Sequence, residues 1–256
     1  MPQAISSRNL ISHLAETVRK TPLNSDPFSH IQIDEVFPLA FYEEIMAAMP
    51  ETRFYGELQH NDAKLPNGRS ARRKLELSPA HLRRLPAAQR DLWTSVAEAF
   101  QSPEMEAAYR EKFEGALRER FPGGLNQVQL HPIPLLIRDL GGYKISIHCD
   151  SFRKAVTTQY YLPSNRSQIH LGTSFHAQGN GGPIKIKTLE FAPNTGYAFA
   201  VTANSWHSVE KMTSADGERN SLMLIYYIDQ GPVGELLNSM KRLALDARVL
   251  CTPRHD

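Results

Sequence analysis

Apolar residues in the first half of the chain recur every three to four positions. Leu10, Ile11, Leu14 and Val18 follow Ser7 at this spacing, which predicts an amphipathic helix capped by the serine. Ile31 to Val36 reads as a short strand, and Phe37 to Met49 as a helix stopped by Pro50. Two more helices are predicted, from about Pro86 to Phe100 and from Pro103 to Phe121. Ser102 is placed to cap the second, Pro103 sits in its first turn, and Gly123-Gly124 follows its end. Its Met105, Tyr109, Phe113 series has the spacing of a core-facing stripe. The basic run Arg69 to Lys74 reads as a solvated loop in which Arg72 or Arg73 is a candidate to meet an anionic substrate group, as is Arg153 further on.

Beyond Val128 the period shortens to two. Strands are predicted near Val128–Leu136, Tyr143–His148, Ala155–Leu162, Ile184–Phe191, Thr195–Val201, His207–Lys211 and Ser221–Ile228. Gly179 to Pro183 and Pro193 to Gly196 are the clearest turns, and His170 and His176 lie in a loop-like segment and are not favoured as ligands. Gly234 to Leu250 has the pattern of an amphipathic helix. The expectation is a single domain over 1–256. It comprises a mainly helical region (1–124), a β-sandwich or barrel core (125–230) and a C-terminal helix and tail (231–256).

Composition narrows the function classes. An apolar content of 41% suffices for a core, and a net charge of +2 gives no basis for a nucleic-acid platform or a membrane-binding face. Two cysteines, Cys149 and Cys251, make no disulfide framework. The most apolar run, Ile133 to Ile137, is strand-sized, and the N-terminus lacks the apolar stretch of a signal peptide. The expected setting is cytoplasmic, and the expected partner is a small-molecule substrate. Neither nucleic acid nor membrane is expected as a partner, and the oligomeric state is left open.

The chemistry concentrates in His148-Cys149-Asp150, at the end of the strand-like run Gly141 to His148. Residues i and i+2 of a strand point to the same side, so His148 and Asp150 can aim at one point while Cys149 faces away. A second imidazole, His207, stands between two later strands, and Arg219-Asn220-Ser221 opens the last one. Two histidines and a carboxylate on one face of a metal, with the other positions open, form the ligand set of non-haem Fe(II) oxygenases. An arginine one strand further on suits a dicarboxylate co-substrate, because its planar fork matches a carboxylate and stays charged when buried.

From about Leu125 to Asp229 the chain resembles the catalytic core of the Fe(II)- and 2-oxoglutarate-dependent dioxygenases, in the prolyl-hydroxylase-like branch. The resemblance rests on Gly-Tyr-Lys-Ile-Ser-Ile-His-Cys-Asp, on Ala155 to Pro163 with its Tyr-Tyr-Leu segment, on Ser-Trp-His-Ser-Val, and on Arg-Asn-Ser-Leu. It implies a double-stranded β-helix, the jelly-roll architecture shared with cupins, with ligands inside its mouth. It implies His148, Asp150 and His207 as both metal ligands and catalytic residues, and Fe(II) as the metal. It further implies 2-oxoglutarate and O2 as co-substrates, with ascorbate as a reductant. Arg219 and Ser221, two apart on a strand, would face the co-substrate. Tyr161 would add a phenol contact, with Tyr160 pointing the other way and Tyr143 available to line the mouth. The reaction implied is hydroxylation of an unactivated C–H bond with release of succinate and CO2. Related halogenases have a small residue where Asp150 stands, so the carboxylate favours hydroxylation, while desaturation and ring formation use the same ligands. Two other readings stay open on the residues. One is a cupin-like metalloenzyme that does not use 2-oxoglutarate, and the other is a non-catalytic ligand-binding jelly roll.

Overall fold

In a computed structural model, residues 7–58 and 60–229 are described, and their chain order alternates a helical first half with a strand-rich second half. The elements are α1 (Ser7–Lys20), β1 (His30–Ile33), α2 (Leu39–Ala47), β2 (Gly56–Glu57), β3 (Arg72–Glu76), α3 (Pro79–Leu82), α4 (Ala87–Phe100) and α5 (Pro103–Arg118). Then come β4 (Leu130–Asp139), β5 (Ile145–His148), β6 (Lys154–Tyr161), β7 (Thr173–Gly179), β8 (Gly182–Thr188), β9 (Gly196–Ala200), β10 (His207–Val209) and β11 (Arg219–Ile228). The C-terminal helix expected over Gly234 to Leu250 lies outside the described residues.

The strands make two antiparallel sheets, a large one in the order β1-β9-β6-β11-β4-β3-β2 and a small one in the order β5-β10-β7-β8. This is the double-stranded β-helix. Strand parity divides the large sheet into two faces. On the outer face Tyr160, Val156, Leu222, Leu224 and Tyr226 join one apolar cluster with Leu10 and Leu14 of α1, Trp93 and Phe100 of α4, and Tyr109 and Phe113 of α5. On the inner face Tyr161, Tyr197 and Phe199 join Phe175 and Val209 of the small sheet in a second, smaller cluster. The helices are thus the cover of the sheet, and the space between the sheets holds the site.

Local signals explain the helices. The Ser102 hydroxyl accepts from the Met105 amide at 3.3 Å, Pro103 occupies the first turn, and the Met105, Tyr109, Phe113 stripe is buried, as its spacing requires. The hydroxyls of Tyr109 and Tyr160 meet at 2.6 Å, which satisfies the polar ends of two rings buried between helix and sheet.

Two segments differ from the sequence expectation. The basic run is no loop throughout, since Arg72–Glu76 is a strand of the large sheet paired with β4. The His176 segment is likewise strand β7, paired with β10 and β8. Both runs are too polar to show a period-two apolar signal. They are held as strands by neighbours distant in sequence. The Tyr143 strand begins later than expected, at Ile145, with Tyr143 in the turn before it.

Candidate functional site

His148 ends β5, Asp150 lies two residues beyond, and His207 opens β10, which pairs with β5 so that His207 stands opposite His148. One ligand atom from each of the three lies within 4.8 Å of the others, and the two imidazole centroids are 4.2 Å apart. Both histidines are oriented by the same local device. Nδ1 of His148 donates to the Ser146 carbonyl and Nδ1 of His207 to the Ser205 carbonyl, each at 2.9 Å and each two residues back. A carbonyl can only accept, so Nδ1 carries a proton in both rings and Nε2 is the atom each ring can offer to a metal. The Ser146 amide in turn donates to the Asp62 carboxylate at 2.7 Å, which steadies the outer strand of the small sheet.

Asp150 is held at both oxygens. Lys154 Nζ lies 2.6 Å from Oδ1 and Thr157 Oγ1 2.6 Å from Oδ2. Burial by itself pushes this carboxyl up, but the adjacent Lys154 and the two donated hydrogen bonds outweigh it and bring the pKa down to about 2. His207 moves the other way for its class, because burial lowers its pKa to about 4 against the opposing pull of Asp150. His207 is therefore neutral and Asp150 ionised at pH 7, the protonation states a divalent cation needs. A carboxylate has about four lone-pair sites, so the bonds to Lys154 and Thr157 leave capacity for a metal. Three converging donors of the His₂-carboxylate type fit Fe(II). The loop between Asp150 and β6 is tied to the helical layer by Arg120, which donates to the carbonyls of Phe152, Lys154 and Val201.

Strand β6 carries the site away from His148, Asp150 and His207. Its inward residues alternate as Thr157, which holds Asp150, then Gln159, then Tyr161. Gln159 Nε2 donates to Ser221 Oγ at 2.8 Å, and Tyr197 donates to Gln159 Oε1 at 2.9 Å. Thr173 links Tyr197 to Tyr161 through contacts of 3.1 Å. Arg219, fully buried, lies beside this network, with its guanidinium 4.5 Å from the Phe191 ring centroid and 5.6 Å from that of Tyr161. Its Nε donates to the Leu171 carbonyl and its Nη1 to Asp139 Oδ2, both at 2.8 Å, while its Nη2 has no partner.

The structure brings together His148, Asp150 and His207, and places Arg219, Ser221 and Tyr161 on one inner face. Tyr160 points away into the outer cluster, as parity requires. Two details refine the picture. The Tyr161 hydroxyl is engaged with both the hydroxyl and the amide of Thr173, and its ring centroid lies 5.6 Å from the Arg219 guanidinium. Arg219 does not present an open fork, since two of its three nitrogens are already bonded. His170 and His176 stand apart, paired with Asp216 and Ser208. Arg72 is directed inward to Asp139 and Tyr143. Lys154, Thr157, Gln159, Asp139 and Tyr197 were not anticipated. Thr157 and Gln159 had a signal, two polar residues on one face of a strand that ends in Tyr-Tyr, which in a buried sheet marks a hydrogen-bonded interior.

No family model matches the chain, and none of the curated proteins matches it. Among solved structures it is similar to a prolyl hydroxylase from Trichoplax adhaerens, in complex with a hypoxia inducible factor oxygen degradation domain peptide fragment. That match has TM-score 0.51 and 11% identity, and covers 86% of this chain and 90% of that one. It is also similar to a prolyl-4-hydroxylase from Pseudomonas putida, with TM-score 0.51 and 13% identity, covering 85% of this chain and 98% of that one. At such identities the likeness is one of fold. No helix among the described residues is long and apolar enough to cross a membrane.

Proposed function

We propose that this protein is an Fe(II)- and 2-oxoglutarate-dependent oxygenase that hydroxylates an unactivated C–H bond of a small molecule. An amino acid, a peptide or a natural-product intermediate is the preferred class. The observation that carries this reading is a converging His₂-carboxylate cluster in the same interior as a buried arginine that keeps one nitrogen unpaired. A ligand-binding jelly roll has no need of the first, and a metalloenzyme independent of 2-oxoglutarate has no need of the second. The two proteins of like fold are hydroxylases, which supports the same choice.

In this reading His148, Asp150 and His207 hold the iron, which supplies the redox chemistry coupling decarboxylation of 2-oxoglutarate to oxidation of the substrate. The Ser146 and Ser205 carbonyls fix the imidazoles, and Lys154 and Thr157 fix the carboxylate. Arg219 Nη2 receives the distal carboxylate of 2-oxoglutarate. Ser221 Oγ accepts from Gln159, so its own proton is free to point at that carboxylate. Tyr161 and Phe191 wall off the guanidinium from water, which strengthens a charge-assisted bond. Beside the ligands in sequence, Ile147 and Phe152 are 42% and 59% exposed, an apolar rim suited to an organic substrate. Cytoplasmic location and ascorbate as reductant are part of the same proposal.

The test is a screen of small molecules with the protein, Fe(II), ascorbate and 2-oxoglutarate, reading succinate and a product heavier by one oxygen atom. Succinate formation that depends on His207 and Arg219 supports the reading. A protein that binds divalent metal but shows neither succinate formation nor affinity for 2-oxoglutarate would overturn it in favour of a cupin-like metalloenzyme.

A further inference from the structure

Three adjacent strands of the large sheet bring Arg72, Asp139 and Arg219 into one row. Asp139, the last residue of β4, is the register partner of Arg72 on β3 and of Arg219 on β11. The row is buried, with side-chain exposures of 11% for Arg72 and 0% for both Asp139 and Arg219. Arg219 Nη1 lies 2.8 Å from Asp139 Oδ2. Arg72 Nε lies 3.2 Å from Oδ1, an ion-pair contact whose angle falls short of a hydrogen bond. The other Arg72 nitrogens reach the Tyr143 hydroxyl and, at 3.6 Å, the sulfur of Met223. Neither is an anion. Burial raises the pKa of Tyr143 to about 12, and it raises those of Tyr161 and Tyr197 as well, so the surrounding phenols are uncharged at neutral pH.

The charges of the row therefore sum to +1, two guanidiniums against one carboxylate. This matters for the arginine assigned above to the co-substrate. Arg219 and Asp139 alone would be a neutral pair, and a neutral pair in a dry site has little attraction for another anion. With Arg72 on the far side of Asp139, one full positive charge is left over, and the nitrogen with no partner is Arg219 Nη2. We propose that Arg72 is a positioning residue for 2-oxoglutarate: it neutralises Asp139, so that Arg219 is held in place by that carboxylate yet keeps its charge for the incoming anion. This rests on the proposed function, and it assigns a role in the site to a strand that precedes the oxygenase-like segment.

A role through charge and a role through packing part company on substitution. In Arg72→Met, Asp139 cancels Arg219, and 2-oxoglutarate binding should weaken at least tenfold although Arg219, the residue assigned to meet the ligand, is unchanged. Adding Asp139→Asn restores the sum to +1 and should bring affinity back to within about threefold of the parent, although the double variant removes more native interactions than the single one. Arg72→Lys keeps the charge and loses the fork, and should bind within a few-fold of the parent. The measurement is calorimetric titration of 2-oxoglutarate into the anaerobic Fe(II)-loaded protein, with Arg219→Ala as control. Affinity unchanged in Arg72→Met, or a double variant as weak as the single, would overturn the proposal. Should the double variant fail to fold, Arg72→Lys decides, since a loss equal to that of Arg72→Met would overturn it too. If the parent itself does not bind 2-oxoglutarate, the assigned function fails instead. If the parent binds and Arg219→Ala does not, that function stands whatever Arg72 does.

Discussion

A buried imidazole that must stay neutral is indifferent to pH 7 and sensitive to pH 5. The folded chain keeps the His207 pKa at about 4, against an ordinary value of 6.5 in the unfolded chain. As pH falls from 6.5 towards 4 the unfolded chain takes up a proton that the folded one refuses, so stability should fall by about 3 kcal/mol over that window. Asp150, lowered from 3.8 to about 2, contributes stability above pH 4 that is lost only below it. Denaturant titrations at pH 7, 5.5 and 4.5 should show the first loss in the parent and a flatter profile in His207→Asn. Replacing His148, Asp150 or His207 by Ala should abolish divalent-metal binding by calorimetry while the circular dichroism of the fold is retained. Arg219→Ala should weaken 2-oxoglutarate binding by about ten- to several-hundred-fold, at 1.4 kcal/mol per factor of ten, and leave metal affinity unchanged. Arg219→Lys should recover only part of the loss, because an ammonium restores charge without the planar group that Leu171 and Asp139 grip.

At the scale of elements, close approach between strand ends sets the site. A Cβ on Gly172 would stand 1.5 Å from the Leu189 carbonyl oxygen, so this glycine is required by space. Gly172→Ala should push the start of β7 away, cost about 1–3 kcal/mol, and displace the neighbouring Leu171 carbonyl that holds Arg219. The checks are a lower melting temperature together with weaker 2-oxoglutarate binding. The elements that could be read from sequence are those whose pattern is local. The α5 stripe and its Ser102 cap were legible, as were the apolar and β-branched runs of β4, β6 and β11 and the His148–Asp150 spacing. Strands β3 and β7 were not, because Arg72 and His176 interrupt any apolar period, and their pairing partners lie far along the chain. The same blindness hid Asp139. A charged residue ending an apolar strand looks like a solvent-facing terminus until the register sets an arginine on each side of it.

At the scale of the molecule, the helical layer covers the outer face of the large sheet. Without it Tyr160, Leu222, Leu224 and Tyr226 would form an apolar patch of the kind soluble monomers avoid. A fragment beginning at Leu125 should therefore aggregate or bind a hydrophobic dye, and should melt without a cooperative transition, although it retains His148, Asp150 and His207. Scanning calorimetry and dye binding would test this, and a fragment that melts cooperatively would show the core to be self-sufficient.

The two faces of β6 and β11 have an evolutionary corollary. Tyr160 and Leu222 answer to the helical cover, whereas Gln159, Tyr161 and Ser221 answer to the interior. Each strand is thus written in two interleaved alphabets, one for durability and one for chemistry, and substitutions in one leave the other almost untouched. A library confined to inward positions could search for new substrates while the outward residues hold the melting temperature. Insertions and deletions have no such freedom, since a shift by one residue exchanges the alphabets along the whole strand. This lineage should therefore diversify inside its barrel by replacement of residues, and change length only in the connections between strands.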